Sequence, residues 1–191
     1  MTKKVAIFNF SPRVNGNCTE IAKVISNYYN QGQVKSYQFT VDNCSPCNHC
    51  DYECIKPGSK CPHIPGYIED ALDAAGSCDV IYYIIPNFCG NPNANYYAFL
   101  ERCTGYFGFN REMRAAFLKI KKGFIVVSNT ENQSFQQAVQ QQTAAEPKIL
   151  YMKTGKYQKR STAGDLMESA EARSDLEAFL ASMGEDKADS I

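Results

Sequence analysis

Uninterrupted apolar runs alternate along this chain with segments of helical periodicity. Residues 5–10 (VAIFNF), 79–85 (DVIYYII) and 124–127 (FIVV) are short and rich in β-branched and aromatic side chains. Runs of this kind are typical of parallel strands that are covered on both faces. Residues 33–41 and 148–152 are weaker strand candidates, one of them with clear alternation. The pattern therefore predicts five strands.

Between these runs, apolar residues recur with the spacing of amphipathic helices. The predicted helices cover residues 17–29, 67–75, 91–107, 134–142 and 165–183. Asn17 or Thr19 is a candidate cap for the first of them. Strands that alternate with helices predict an α/β fold: a flavodoxin-like parallel sheet of five strands in the order 2-1-3-4-5, with helices on both faces. We predict one domain over residues 1–184 and a frayed tail over 185–191.

Composition narrows the classes of function. The 191 residues carry a formal net charge of zero, and no basic patch or acidic tail stands out, so a nucleic-acid partner is not expected. No segment approaches the roughly 18 apolar residues of a membrane span. The N-terminus lacks the long apolar run of a signal peptide. We therefore expect a cytoplasmic protein without a membrane partner.

The cysteine loop, residues 44–61, holds five of the nine cysteines of the chain. They are Cys44, Cys47, Cys50, Cys54 and Cys61. In a reducing compartment, clustered cysteines are more often metal ligands or catalysts than structural disulfides. Soft thiolates at two-residue spacing suit an iron–sulfur cluster or zinc. The segment therefore predicts metal or redox chemistry.

Three interpretations of the cysteine loop stay open, and the spacing favours the first. Cys44, Cys47 and Cys50 match three ligands of one [4Fe–4S] cluster, and either Cys61 or Cys54 would supply the fourth. Zinc would use four of the same cysteines, although zinc ligands usually come as two separated pairs. Thiols without a metal would instead form reversible disulfides.

A second candidate site follows the first strand. Residues 11–19 (SPRVNGNCT) offer an arginine, several hydroxyl and amide donors, and the backbone N–H groups of a helix start, which together suit a phosphate group. The segment is neither a Walker A motif nor G-x-G-x-x-G, so ATP and a Rossmann-bound dinucleotide are disfavoured. The alternative is an ordinary strand-to-helix turn.

Three stretches, taken in order, resemble the NADPH-dependent FMN reductase family of the flavodoxin-like superfamily. Residues 11–19 resemble its FMN phosphate loop, and residues 86–90 (PNFCG) resemble the loop beside its isoalloxazine ring. Residues 99–102 (FLER) resemble its Phe-Leu-Asp-Arg helix, and the cysteine loop resembles its iron–sulfur flavoprotein branch. Phe10 stands where the family often has glycine.

The resemblance implies a residue set for each cofactor. Around the FMN phosphate it places Ser11, Arg13, Asn17, Cys18 and Thr19. Along the flavin ring it places Pro86, Asn87, Phe88, Cys89 and Gly90 on one side, and Ser128, Asn129 and Thr130 on the other. As cluster ligands it gives Cys44, Cys47, Cys50 and Cys61, with Cys54 as the alternative fourth.

We therefore expect an oxidoreductase with FMN, a [4Fe–4S] cluster and NAD(P)H as co-substrate, in which the cofactors carry the chemistry. Electrons would pass from NAD(P)H or a ferredoxin-like donor to a quinone, an oxygen species or a redox partner protein. The resemblance also implies a homodimer or homotetramer. Two alternatives remain: a cluster-free NAD(P)H-dependent flavin or quinone reductase, and a zinc-stabilised flavodoxin-like binding module without turnover.

Overall fold

The computed structural model describes residues 3–29, 34–47, 50–56, 59, 61–108, 110–129 and 133–184. Two predictions, the flavin contact of Thr130 and the frayed tail at 185–191, lie outside the described residues. Within the described ranges, none of the helices combines the length and apolar character needed to cross a bilayer.

A parallel sheet of five strands forms the centre of the fold. Its strands are β1 (Val5–Asn9), β2 (Val34–Gln38), β3 (Val80–Phe88), β5 (Lys121–Ser128) and β6 (Lys148–Lys153), and a two-residue strand β4 (Asn91–Pro92) pairs antiparallel with the end of β3. The order β2-β1-β3-β5-β6 confirms the predicted order 2-1-3-4-5, since β4 only extends β3 into a hairpin.

In the described part of the chain, six helices cover the two faces of the sheet. They are α1 (Asn17–Tyr28), α2 (Gly66–Gly76), α3 (Ala94–Phe107), α4 (Arg111–Lys119), α5 (Gln133–Gln140) and α6 (Ala170–Gly184). Helices α1 and α6 pack on one face, and α2 to α5 pack on the other. Side chains 80–85 of β3 are all buried, which explains why this strand is an uninterrupted apolar run in the sequence.

An aromatic cluster fills the core on the α2–α5 side, close to the carboxyl ends of β1 and β2. The Phe10 ring stacks on Phe39 at 5.1 Å and on Tyr83 at 5.9 Å, measured between ring centroids. Phe99 of α3 packs against Phe10 at 5.4 Å and against Phe8 at 5.4 Å. All five side chains are fully buried. This cluster therefore fixes the backbone at the point where residues 11–19 begin.

The predicted helix over residues 91–107 begins later than expected, at Ala94. Cys89 and Gly90 both have positive φ angles, 50° and 85°, which is the backbone of a two-residue type I′ hairpin turn. The turn sends the chain back along β3, so that Asn91 and Pro92 pair with it before the helix starts.

Three further details of the helices differ from the sequence-based expectations. Helix α4 was missed because it buries Phe117 alone and so shows no apolar stripe. The last helix is preceded by a separate 3₁₀ turn at Leu166–Glu168, because Ser169 is extended and its hydroxyl accepts a hydrogen bond from the N–H of Ala172. Gly16, rather than Asn17 or Thr19, occupies the cap position of α1.

Candidate functional site

The candidate cofactor site lies at the carboxyl edge of the sheet, where β1 and β3 are neighbours. The chain leaves β1 toward α1 on one face, and it leaves β3 toward α3 on the opposite face. Open α/β sheets bind ligands in the crevice that such a switch in direction creates. Residues 11–19, 86–90 and 128–129 follow β1, β3 and β5 at this edge.

Hydrogen bonds hold the 11–19 segment in a compact turn at the end of β1. The N–H of Ser11 donates to Asn9 Oδ1 at 2.9 Å, and the N–H of Arg13 donates to Ser11 Oγ at 3.3 Å. The Thr19 hydroxyl donates to the carbonyl oxygen of Arg13 at 2.9 Å. Gln38 Nε2 of β2 also donates to the carbonyl oxygens of Ser11 and Arg13, at 2.8 and 3.0 Å. The turn is thus held by bonds within it and by the ends of β1 and β2.

Gly16 lets this turn close over the start of α1. A Cβ at position 16 would lie 3.2 Å from the Cβ of Arg13, tighter than ordinary packing allows. Gly16, at the cap position of α1, has no side chain to accept from the first turn, and the Arg13 side chain beside it is exposed. Uncapped N–H groups at a helix start, with a guanidinium next to them, form a favourable environment for an anion.

Cys18 contributes to packing at this site. Its side chain is 3% exposed and belongs to the apolar core between α1 and the sheet. Burial raises the pKa of the Cys18 thiol to about 12, although the Ser11 hydroxyl and the Arg13 charge act in the opposite direction. The thiol is therefore neutral at physiological pH.

Asn17 is bonded to a distant segment, residues 160–166, which we call the strap. Its Nδ2 donates to the carbonyl oxygens of Arg160 at 3.1 Å and Ser161 at 3.2 Å. Its Oδ1 accepts from the N–H of Leu166 at 3.0 Å. The side chain is 3% exposed, so the structure commits the Asn17 amide to the strap.

The hairpin at residues 86–90 forms a second wall of the edge. Asn87 Nδ2 donates to the hydroxyl of Ser128, which links the ends of β3 and β5, and Asn87 Oδ1 accepts from the N–H of Gly90 at 2.8 Å. Phe88 is 66% exposed, and Cys89 is exposed as well. Pro86 is half-buried at the start of the hairpin. The hairpin is thus held in place while its tip faces solvent.

Beyond β5, the structure brings Asn129 into contact with the chain that follows β6. Asn129 Oδ1 accepts a hydrogen bond from the Thr154 hydroxyl, and the Thr154 N–H donates to the carbonyl oxygen of Ser128 at 2.9 Å. Asn129 is exposed and Ser128 is buried. Of the two, Asn129 is therefore the one at the surface of this edge.

Two asparagines that the sequence analysis did not select also lie at this edge. Asn93 Nδ2 donates to the carbonyl oxygen of Phe10 at 2.7 Å, and Asn95 Nδ2 donates to those of Phe10 and Phe39 at 3.2 and 3.0 Å. Asn93 Oδ1 is buried and has no hydrogen-bond partner in the described part of the chain. In the sequence, the Asn-x-Asn pattern beside the start of α3 is the feature that could have identified these two residues.

Cys44 is separated from the other cysteines of its loop. Its side chain is 1% exposed, and its Sγ lies 3.8 Å from the carbonyl oxygen of Asn95, close to the start of α3. Burial raises the pKa of the Cys44 thiol to about 12, and the nearby Arg102 charge partly opposes this. Cys44 is thus a neutral core residue near the carboxyl edge.

The remaining cysteines of the loop lie farther along α3. The Cys61 side chain packs on Gly105, where an added Cβ would come within 3.2 Å of its Sγ. Burial first, and then the charges of Cys61, Cys50 and Cys47, raise the pKa of Cys54. Asn95 and Gly105 are ten helical residues apart, which is about 15 Å. The structure therefore groups Cys54 with Cys47, Cys50 and Cys61, and leaves Cys44 apart.

These thiols do not form a metal centre in the present arrangement. Within the described residues, no three Cys, His, Asp or Glu side chains are placed to hold one metal ion. The predicted ligand set of Cys44, Cys47, Cys50 and Cys61 is not brought together, and the arrangement gives no support to the [4Fe–4S] prediction.

Arg102 holds the two ends of the cysteine loop on α3. It is 2% exposed; its Nε donates to the carbonyl oxygen of Ser45 at 2.8 Å, and its Nη2 donates to that of Pro46 at 2.7 Å. Its Nη1 donates to the carbonyl oxygen of His63 at 3.2 Å. Next to it, Glu101 Oε2 accepts from the N–H of Cys47 at 2.7 Å. The FLER motif thus positions the cysteine loop.

A cavity of about 810 Å³ adjoins the end of the cysteine loop at Cys61. Its lining includes Cys61, Glu69, Asp73, Tyr106 and Met113, from the loop and from α2, α3 and α4. The Tyr106 hydroxyl donates to Asp73 Oδ1 at its wall. This cavity lies away from the start of α1, so it is separate from the carboxyl-edge site.

Comparison with known proteins identifies the fold. No protein-family model and no curated protein matches the chain. Among solved structures, FerB, a flavoenzyme NAD(P)H:(acceptor) oxidoreductase from Paracoccus denitrificans, is similar over 95% of this chain and 97% of its own, with a TM-score of 0.58 and 13% identity.

Two further solved structures are similar at the same level. The NAD(P)H:quinone oxidoreductase from Methanothermobacter marburgensis aligns with 96% of this chain and 95% of its own, at a TM-score of 0.58 and 10% identity. An FMN-dependent NADH-azoreductase from Bacillus anthracis, in complex with FMN, aligns with 94% of this chain and 99% of its own, at a TM-score of 0.54 and 10% identity. These likenesses confirm the flavodoxin-like α/β fold.

Proposed function

We propose that this protein is an FMN-dependent oxidoreductase that passes electrons from NAD(P)H to a small acceptor such as a quinone. The observation that carries the proposal is the uncapped start of α1 beside the exposed Arg13, at the switch point of a doubly wound sheet. Solved structures with this fold include an NAD(P)H:quinone oxidoreductase and an azoreductase with bound FMN, which supports the same function here.

The residues present fit FMN. Arg13, the Ser11 hydroxyl and the N–H groups at the start of α1 would hold the phosphate. Asn93 Oδ1, buried without a partner among the described residues, would accept a hydrogen bond from a ligand hydroxyl or N–H at the same edge. When bound, FMN would supply the capacity to accept a hydride and release single electrons.

The side chains around this edge would bind and orient rather than react. Asn87 and Ser128 hold the 86–90 hairpin against the end of β5, which would keep one side of a flat ligand in place. Phe88 at the hairpin and Tyr97 on α3 are 66% and 41% exposed. We further propose the homodimer or homotetramer that the family resemblance implies, in which these two rings would be covered.

Arg13→Ala is expected to weaken FMN binding by about 10- to 100-fold, the loss of one charge-assisted contact with the phosphate. Binding of riboflavin, which has no phosphate, should change little. Fluorescence titration of the apoprotein with each flavin measures both, and Arg111→Ala, an exposed arginine on α4, is the matched control. A wild-type protein that binds no FMN, or that does not oxidise NAD(P)H with a quinone when FMN is present, contradicts the proposed function.

An iron–sulfur electron-transfer role is a second candidate, favoured by one observation. Burial and then the charges of Cys61, Cys50 and Cys47 raise the pKa of Cys54, although no three side chains among the described residues are placed to hold one metal ion. If the loop rearranges around a [4Fe–4S] cluster, anaerobic reconstitution with iron and sulfide should produce a broad absorbance shoulder at about 400 nm.

The ligand set is tested by two matched variants of that sample. Cys54→Ser should remove the shoulder, while Cys44→Ser should keep it, since Cys44 lies apart. If the wild type shows flavin absorbance without a shoulder, the result favours the cluster-free reductase. Stoichiometric zinc in a protein without flavin would instead favour the binding module.

A further inference from the structure

The strap is packed closely against the 11–19 segment. Gly164 has a φ of +78°, and a Cβ at this position would lie 2.9 Å from the carbonyl oxygen of Asn15. Both the backbone angle and the close approach require glycine here. The strap follows β6 and precedes α6, so it is about 150 residues away in sequence from the loop that it covers.

The hydrogen-bonding capacity of Asn17 is taken up by this contact. A side-chain amide has two N–H donors, and both are used on the carbonyl oxygens of Arg160 and Ser161. The side chain is also buried. An FMN phosphate at the start of α1 would therefore find no free side-chain N–H on Asn17, and only its backbone N–H remains for the anion.

Arg13 differs from Asn17 in both respects. It is exposed, and its guanidinium gives one N–H to the strap, from Nη1 to the carbonyl oxygen of Thr162 at 3.4 Å. The guanidinium has five N–H donors, so it can bind a phosphate while the strap still orients it. The strap thus supports the residue that would contact the anion.

We infer that Asn17 is a positioning residue: it fastens the strap as a fixed outer wall of the phosphate site, and the strap orients Arg13. The inference rests on the proposed function, and it changes the role of Asn17 from phosphate ligand to anchor. A wall that is already in place reduces the ordering cost of binding, which is how a residue without a ligand contact adds affinity.

The test compares variants on the two sides of this contact. Asn17→Ala removes the anchor, and Gly164→Ala disturbs the packing of the strap on the carbonyl oxygen of Asn15, from a position that has no side chain to offer the anion. Each is expected to weaken FMN binding about tenfold and to leave riboflavin binding unchanged. The double variant should bind FMN like either single variant, since each change releases the same strap.

Gly155→Ala is the matched control for the strap side. Gly155 lies in the same connection between β6 and α6, and an added Cβ there would meet no atom within 4 Å. It should bind FMN like the wild type. If Asn17→Ala weakens FMN binding while Gly164→Ala does not, Asn17 is a direct phosphate ligand and the inference is overturned.

Trypsin gives a readout that does not depend on flavin. Arg160 is the first residue of the strap, and Lys159 directly precedes it. If the strap is released, trypsin should cut there several-fold faster in both variants, and Gly155→Ala should be cut at the wild-type rate. Mass spectrometry of the fragments identifies the site. Unchanged cleavage in Asn17→Ala and Gly164→Ala would refute the anchoring.

The two proposals fail in different ways. A wild-type protein that binds no FMN overturns the proposed function and the phosphate part of this inference together. A wild type that binds FMN, with both variants binding it equally well, overturns the inference alone. Should Asn17→Ala not fold, Asn17→Asp keeps the acceptor for the Leu166 N–H and sets a carboxylate against the carbonyl oxygens of Arg160 and Ser161.

Discussion

Phe99→Ala is expected to lower the free energy of unfolding by about 3–5 kcal/mol, the range for deleting a fully buried phenyl ring. Phe99 has no exposed surface, and its ring lies 4.8 Å from Phe39 and 5.4 Å from Phe8 and Phe10. These rings join α3 to β1 and to the chain after β2, so little can move in to fill the cavity. Urea denaturation followed by circular dichroism measures the loss.

Tyr97→Ala is the control for Phe99→Ala, because it removes a ring from the same helix at a position that is 41% exposed. It should cost less than about 1 kcal/mol. Phe99→Leu keeps most of the volume and should cost less than about 1.5 kcal/mol. Equal losses for Phe99→Ala and Tyr97→Ala would show that the aromatic cluster is not the main support of this face.

Arg102→Met should release the cysteine loop from α3 and cost about 2–4 kcal/mol, because it leaves the carbonyl oxygens of Ser45, Pro46 and His63 without their donor. The same change should expose Cys44, which is 1% exposed in the intact fold. Alkylation of Cys44 under native conditions, measured by mass spectrometry, should rise at least tenfold.

Arg114→Met, at an exposed position on α4, is the control for Arg102→Met and should leave Cys44 unreactive. Arg102→Lys keeps the charge but not the planar fork, so an intermediate effect is expected. If Cys44 reacts at the wild-type rate in Arg102→Met, another contact holds the loop in place.

The sequence predicted those parts of the fold whose side chains report a buried environment directly. The 80–85 run of β3 is apolar because both of its faces are covered, and the order of strands and helices then implies the sheet order. Helix α4 escaped prediction because it buries Phe117 alone. The hairpin before α3 depends on positive φ angles at Cys89 and Gly90, and the cysteine gave no signal of this.

The candidate site was predictable only in its local part. The pattern at residues 11–19 indicated an anion site, but the role of Asn17 depends on a strap far away in sequence. Likewise, the family resemblance implied that Cys44 and Cys61 bind one cluster. In the structure the loop follows α3, with Cys44 near Asn95 and Cys61 on Gly105. Contacts between segments that are far apart in sequence cannot be inferred from the spacing of residues.

The stacked ring of Phe10 has a consequence for how this protein can have diverged. Phe10 packs face to face with Phe39 and Tyr83, so each of the three sets the volume available to the others. Changes at such positions are not independent, and a substitution at one survives when its neighbours change with it. We therefore expect substitutions at core positions of this kind to occur together. The same chain path can thereby persist while the residues of this cluster change together.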